Sequence, residues 1–166
     1  MNSEQIHKLV KKLVRENRTN DPFSLARGLG IDVDFAGLGE LKGFYIVYKT
    51  GRYIVLNNYL DEHLARIVLA HEIGHDVLHR DIAMNGGLGE NSFFDMTAKP
   101  EREANIFAAE LLISDNDLIE LGERGCTVED AAKELGVHSQ IAMIKARSME
   151  ERGYNINSNY VRSNVF

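Results

Sequence analysis

Between residues 4 and 18 the apolar side chains of Ile6, Leu9, Val10, Leu13 and Val14 recur at helical spacing, with Lys8, Lys11, Lys12 and Arg15 elsewhere on the wheel. That pattern predicts a surface helix with one buried stripe. Asp21 and Pro22 supply a capping carboxylate and a first-turn proline for a second, short helix, expected to run through Ala26 and to stop at Gly28 and Gly30. Ile31 to Phe35, Phe44 to Tyr48 and Tyr53 to Leu56 read as three strands. The last two are joined by Lys49-Thr50-Gly51-Arg52, a hairpin turn in which Gly51 is expected to take any positive φ. The next segment, capped by Asn57, Asn58 or Asp61, runs to about His79 and carries Leu64, Ile67, Val68, Leu69, Ala70, Ile73, Val77 and Leu78 on nearly every side. Such a helix must be central and buried.

Asn85 to Asn91, with Gly86, Gly87 and Gly89, reads as a flexible loop. It lacks the Lys-Ser/Thr pair and helix start of a phosphate-binding loop. Pro100 opens a helix to about Ile113, Ser114 and Thr127 cap two short helices, and a last helix spans Ser139 to Arg152. The expected fold class is α+β, mainly helical, with a small three-stranded sheet beside the buried helix. One domain is expected over residues 1–153, with a flexible Asn-rich tail over 154–166.

The chain has 166 residues, 44% hydrophobic and 27% charged, enough to build one core without disulfides. Disordered, collagenous and disulfide-rich classes are excluded. A formal charge of −6 disfavours a phosphate backbone as partner, and no run approaches the roughly 20 apolar residues of a membrane span. A cytoplasmic location is expected, in keeping with the single cysteine, Cys126.

Chemistry concentrates in His71-Glu72-Ile73-Gly74-His75. Residues four apart share a helical face, so His71 and His75 can converge on one ion while Glu72 lies along the flank as a general base. A third ligand is then required, and Glu101-Arg102-Glu103-Ala104-Asn105 offers two carboxylates. At about 100° per residue, Glu101 falls on the apolar stripe with Ala104, Asn105, Ala108, Leu111 and Leu112, whereas Glu103 falls opposite. Glu101 is therefore the expected ligand, and Asn105, one turn on, the expected partner of a ligand histidine. Glu103 and Glu110 are expected to be solvated, and His79 to serve as a supporting residue or a helix end. His7, His63 and His138 are expected to be structural. Tyr45, Tyr48, Tyr53 and His63 remain alternatives for stabilising an oxyanion.

Several segments together resemble the ImmA/IrrE family of metallopeptidases. They are Ala70 to His75 with Leu78-His79, the stretch Glu101 to Leu112, and the N-terminal helix pair, covering roughly residues 1–150. Ile113-Ser114 departs from the methionine and proline that often close this helix in the family. The resemblance implies a minimal gluzincin-like core, His71, His75 and Glu101 as zinc ligands, and Glu72 as base. It also implies a cytoplasmic endopeptidase that cuts a helix-turn-helix repressor. Tyr53 to Leu56, placed just before the metal helix, is expected to be an edge strand able to bind an extended substrate segment by strand addition. Manganese or iron(II) also suits these ligands.

Two other readings compete. Thr127 to Arg152 is similar to a helix-turn-helix, with Lys145, Arg147 and Arg152 on its second helix, but Glu150 and Glu151 stand beside them and direct nucleic-acid binding is not expected. A metal-holding sensor without hydrolytic activity would have no use for Glu72.

Overall fold

In the computed structural model, residues 1–84 and 96–156 are described. The glycine loop at 85–91 and the tail from 157 lie outside them.

Helix α1 (Ser3–Asn17) is closed at its start by a capping box between Asn2 and Gln5, and buries Ile6 and Val10. Helix α2 (Pro22–Leu29) starts as expected, with the Asp21 side chain accepting from the Ser24 backbone N–H. It ends later than expected: Gly28 stays helical and only Gly30, at φ 70°, leaves by the left-handed route open to glycine.

Strands β1 (Asp32–Ala36), β2 (Gly43–Tyr48) and β3 (Gly51–Asn57) form one sheet in the order β1-β3-β2. β3 runs parallel to β1 and antiparallel to β2. The expectation that Tyr53 to Leu56 form an edge is thus overturned, since β3 is flanked on both sides. Its Ile54 and Leu56 are wholly buried, as a central strand requires. The hairpin pairs Tyr48 with Gly51, so its loop is Lys49-Thr50, and the positive φ (54°) falls on Lys49 instead of Gly51. Asn57 donates from Nδ2 to the carbonyls of Gly39 and Leu41 at 3.0 and 2.8 Å, pinning the β1–β2 connection to the end of β3.

Helix α3 (Glu62–Met84) is capped by Asp61, whose side chain accepts from Leu64 N–H, and departs from helical geometry at His79 (φ −134°, ψ 23°). It lies between the sheet and helix α4 (Lys99–Leu112), so Ile67, Val68, Leu69, Ala70 and Ile73 are all but inaccessible. Helix α4 is equally central, because α3, α1 and α7 (Ser139–Glu151) pack around it and every residue from Glu103 to Leu111 is buried. The short helices α5 (Asp115–Glu123) and α6 (Val128–Leu135) complete the molecule, capped by Ser114 and by a Thr127–Asp130 capping box.

The buried surround of α4 corrects the expectation for Glu110, which is 7% exposed and not solvated. It accepts from Lys145 Nζ at 2.5 Å, from Ser148 Oγ at 2.6 Å and from the His7 ring at 2.8 Å. Lys145 also donates to Asp115 at 2.6 Å, and Arg152 grips Asp115 through two 2.8 Å bonds. One charge cluster thereby ties α1, α4, α5 and α7 together. It also buries the side chains of Lys145 and Arg152, two of the three basic residues expected on the second helix of the helix-turn-helix-like segment.

Lys145→Met leaves Glu110 and Asp115 short of a buried cation and should cost about 3 kcal/mol, read as a lowered denaturant midpoint. Burial pushes the Asp115 carboxyl up, but the Arg152 and Lys145 hydrogen bonds outweigh it and hold the group well below the usual carboxylate range. A depressed folded-state value stabilises above the unfolded value of about 3.9, and that contribution disappears as pH falls towards the folded value. Stability measured by denaturant should therefore be level from about pH 7 to 5 and drop below about pH 4. Asp115→Asn should flatten the drop.

Candidate metal centre

The site is assembled across the α3–α4 contact. Gly74 faces α4, and a methyl group there would stand 3.1 Å from Ala104 Cα and 3.2 Å from Phe107 Cβ. The missing side chain lets the two backbones approach closely enough for the first turn of α4 to reach the histidines of α3.

His71 and His75, one turn apart and 0% and 1% exposed, place their Nε2 atoms 3.0 Å from each other. From α4, Glu101 sets Oε2 3.3 Å from His71 Nε2 and Oε1 3.4 Å from His75 Nε2. Asn105 Oδ1 lies 2.9 Å from His71 Nδ1 and accepts its proton, leaving the Nε2 lone pair directed at the same point. All five residues picked out from the sequence are on these two helices, and Glu72, 1% exposed, lies beside the trio on α3.

These three side chains fit a metal ion. Ligand atoms at about 2.0–2.1 Å from a tetrahedral ion stand about 3.3 Å apart; the two imidazole nitrogens are 3.0 Å apart, and Glu101 approaches His71 to 3.3 Å through Oε2 and His75 to 3.4 Å through Oε1. Glu101 Oε2 is buried without a hydrogen bond among the described residues. Two imidazoles and a carboxylate suit zinc, and also manganese or iron(II).

A second trio, His7, Glu110 and Asp115, also brings ligand atoms together. There the cation is already supplied by Lys145, whose ammonium contacts both carboxylates.

Glu103 was expected to face water. It is 5% exposed, and its Oε2 lies 2.8 Å from His79 Nε2, while Oε1 accepts from the amino group of Met1. The signal for its burial lay in the sequence: Ala104, Ile106, Phe107, Ala108, Ala109 and Leu111 cover every side of α4, as apolar residues do on α3. His79 Nδ1 lies 3.3 Å from His75 Nδ1.

Another group missed from sequence is Asp76, directly after His75. Its carboxylate accepts from Tyr45 Oη at 2.6 Å, Arg52 at 2.8 Å and Arg80 at 3.0 Å, bolting the sheet to α3. Burial, followed by the Asp76 bond, pushes the Tyr45 phenol well above its usual value. Of the oxyanion candidates, Tyr45 donates to Asp76, the His63 ring lies 3.0 Å from the Gly136 carbonyl, and Tyr48 and Tyr53 are 60% and 37% exposed.

A trio of this kind on two packed helices, with a glutamate beside the first histidine, defines a site of the metallopeptidase type. Residues 26–147 match the family model described as the IrrE N-terminal-like domain, a peptidase family, and the chain belongs to that family. It is also similar to the uncharacterized immunity region protein 2 of Bacillus phage phi105, with 34% identity over 137 residues, covering 82% of this chain and 85% of that protein.

Gly74→Ala should lower the thermal midpoint. A helix-propensity gain of about 1 kcal/mol is opposed by overpacking against backbone, at about 1–3 kcal/mol. It should also weaken zinc uptake, because α4 carries Glu101 away from the histidines; calorimetry of the apo-protein and a zinc titration check both.

Proposed function

We propose that this protein is a metal-dependent endopeptidase that cuts a helix-turn-helix transcriptional repressor and so relieves repression of a mobile element or a stress response. The observation that carries the hydrolytic part is the convergence of His71 Nε2, His75 Nε2 and Glu101 at separations a tetrahedral ion requires. In this reading those three residues hold one ion, zinc in the first instance, and Asn105 orients His71. A divalent ion held there supplies Lewis acidity, polarising a peptide carbonyl and making water a stronger acid. Glu72 accepts the proton from the attacking water and returns it to the leaving amine nitrogen. Residues 1–153 act as one domain in the cytoplasm.

The repressor as substrate is supported by membership of the IrrE-like family together with similarity to a protein named for a phage immunity region. Direct action on DNA is disfavoured by the burial of Lys145 and Arg152 within the acidic cluster. No helix among the described residues is long and apolar enough to cross a membrane.

The test is co-expression with the repressor encoded beside this gene, with zinc measured on each purified variant. The unaltered protein should cut the repressor; Glu72→Gln should keep its zinc and lower cleavage by at least about 100-fold. Glu101→Ala should lose both. An unaltered protein that binds zinc and repressor yet leaves the repressor whole would replace the peptidase reading with that of a sensor.

A further inference from the structure

We propose that His79 and Glu103 are positioning residues for the metal ligand His75, a two-step hydrogen-bonded relay that leaves the proton of the His75 ring on Nδ1 and its lone pair on Nε2. The inference rests on the metal-centre reading given above and extends it to two residues that touch neither metal nor substrate.

The direction of the relay follows from what each group can donate. Glu103 is buried, and each of its oxygens faces a nitrogen donor, Oε1 the Met1 amino group and Oε2 the His79 Nε2 at 2.8 Å. A carboxylate so placed accepts, and His79 Nε2 must carry a hydrogen. A ring with its single proton there has a bare Nδ1, and that atom lies 3.3 Å from His75 Nδ1. The His75 Nδ1–H therefore donates to it, and His75 Nε2 is left as the acceptor atom, 3.0 Å from His71 Nε2 and 3.4 Å from Glu101. With the His79 proton on Nδ1 instead, either two donors would meet between the rings, or His75 would accept at Nδ1, carry its own proton on Nε2 and have no lone pair there to offer an ion. His79 is also where α3 leaves helical geometry, so its ring reaches across to α4 instead of continuing the wheel.

The two ligand histidines are thus set by different means. His71 is fixed in one step by an amide, Asn105, and His75 in two steps by a carboxylate working through a second imidazole. Both anchors, Asn105 and Glu103, lie within four residues of Glu101 on α4.

The experiment is zinc affinity by competition with a chromophoric chelator, on the full chain and on Glu103→Gln, His79→Phe, the double variant, Glu101→Ala and Lys145→Met. Glutamine keeps the size of Glu103 but can present either an oxygen or an NH2 to His79, so it no longer dictates which nitrogen is protonated. Each single variant should bind zinc about 10- to 100-fold more weakly. The double variant should be no weaker than the worse single one, since both break the same chain of bonds. Lys145→Met, destabilised at a distance, should retain its affinity, which a merely structural role for His79 and Glu103 would not distinguish from theirs. Affinities within about threefold of the unaltered protein, or losses that multiply in the double variant, overturn the relay. Should His79→Phe fail to fold, Glu103→Gln decides alone. If the unaltered protein takes up no zinc, or Glu101→Ala binds it equally well, the metal centre itself is wrong and the relay falls with it.

Discussion

The approach of α3 to α4 at Gly74 is the constraint on which the rest depends. His71 and His75, 26 or more residues before Glu101 in the chain, come within 3.4 Å of it where two backbones meet, one without a side chain and the other presenting Ala104. Everything else serves that contact. The sheet covers the opposite face of α3 through the Tyr45–Asp76–Arg52 bonds, and α1 and α7 enclose the opposite faces of α4.

Enclosing α4 on all sides has an electrostatic cost, because acids that would otherwise be solvated are taken inside with it. The protein meets it with dedicated cations and donors: Lys145, Arg152 and His7 for Glu110 and Asp115, and the Met1 amino group and His79 for Glu103. A carboxylate buried without such partners would be protonated or would unfold the helix. The two clusters differ in their consequences. The Lys145 cluster is a staple remote from the trio, whereas the Glu103 pair is continuous with a ligand histidine.

Much of this was legible in the residues. Element types and order followed from periodicity and capping chemistry, and a helical wheel alone separated Glu101 from Glu103. The wheel failed on Glu103 and Glu110 because it says which residues share a face and not how many faces are covered. That depends on α1 and α7 arriving from distant sequence. The strand order escaped for a related reason: a hairpin signal identifies β2 and β3 as neighbours, but nothing local says that β1 will pair with β3 on its other side. At the hairpin itself, Gly51 stands two residues beyond the left-handed position, which Lys49 takes.

Because β3 is enclosed, the sheet has two unlike rims. The β1 rim carries the exposed carboxylates of Asp32 and Asp34, which discourage another extended chain from pairing there despite the exposed ring of Phe35 beside them. The β2 rim carries Ile46 and Tyr48, 41% and 60% exposed and without charge, on the strand that also packs against α3. An unfolded segment drifting against this molecule would meet repulsion along one border of the sheet and an uncharged, partly greasy border along the other, so the two sides of the sheet are unequal in the company they keep.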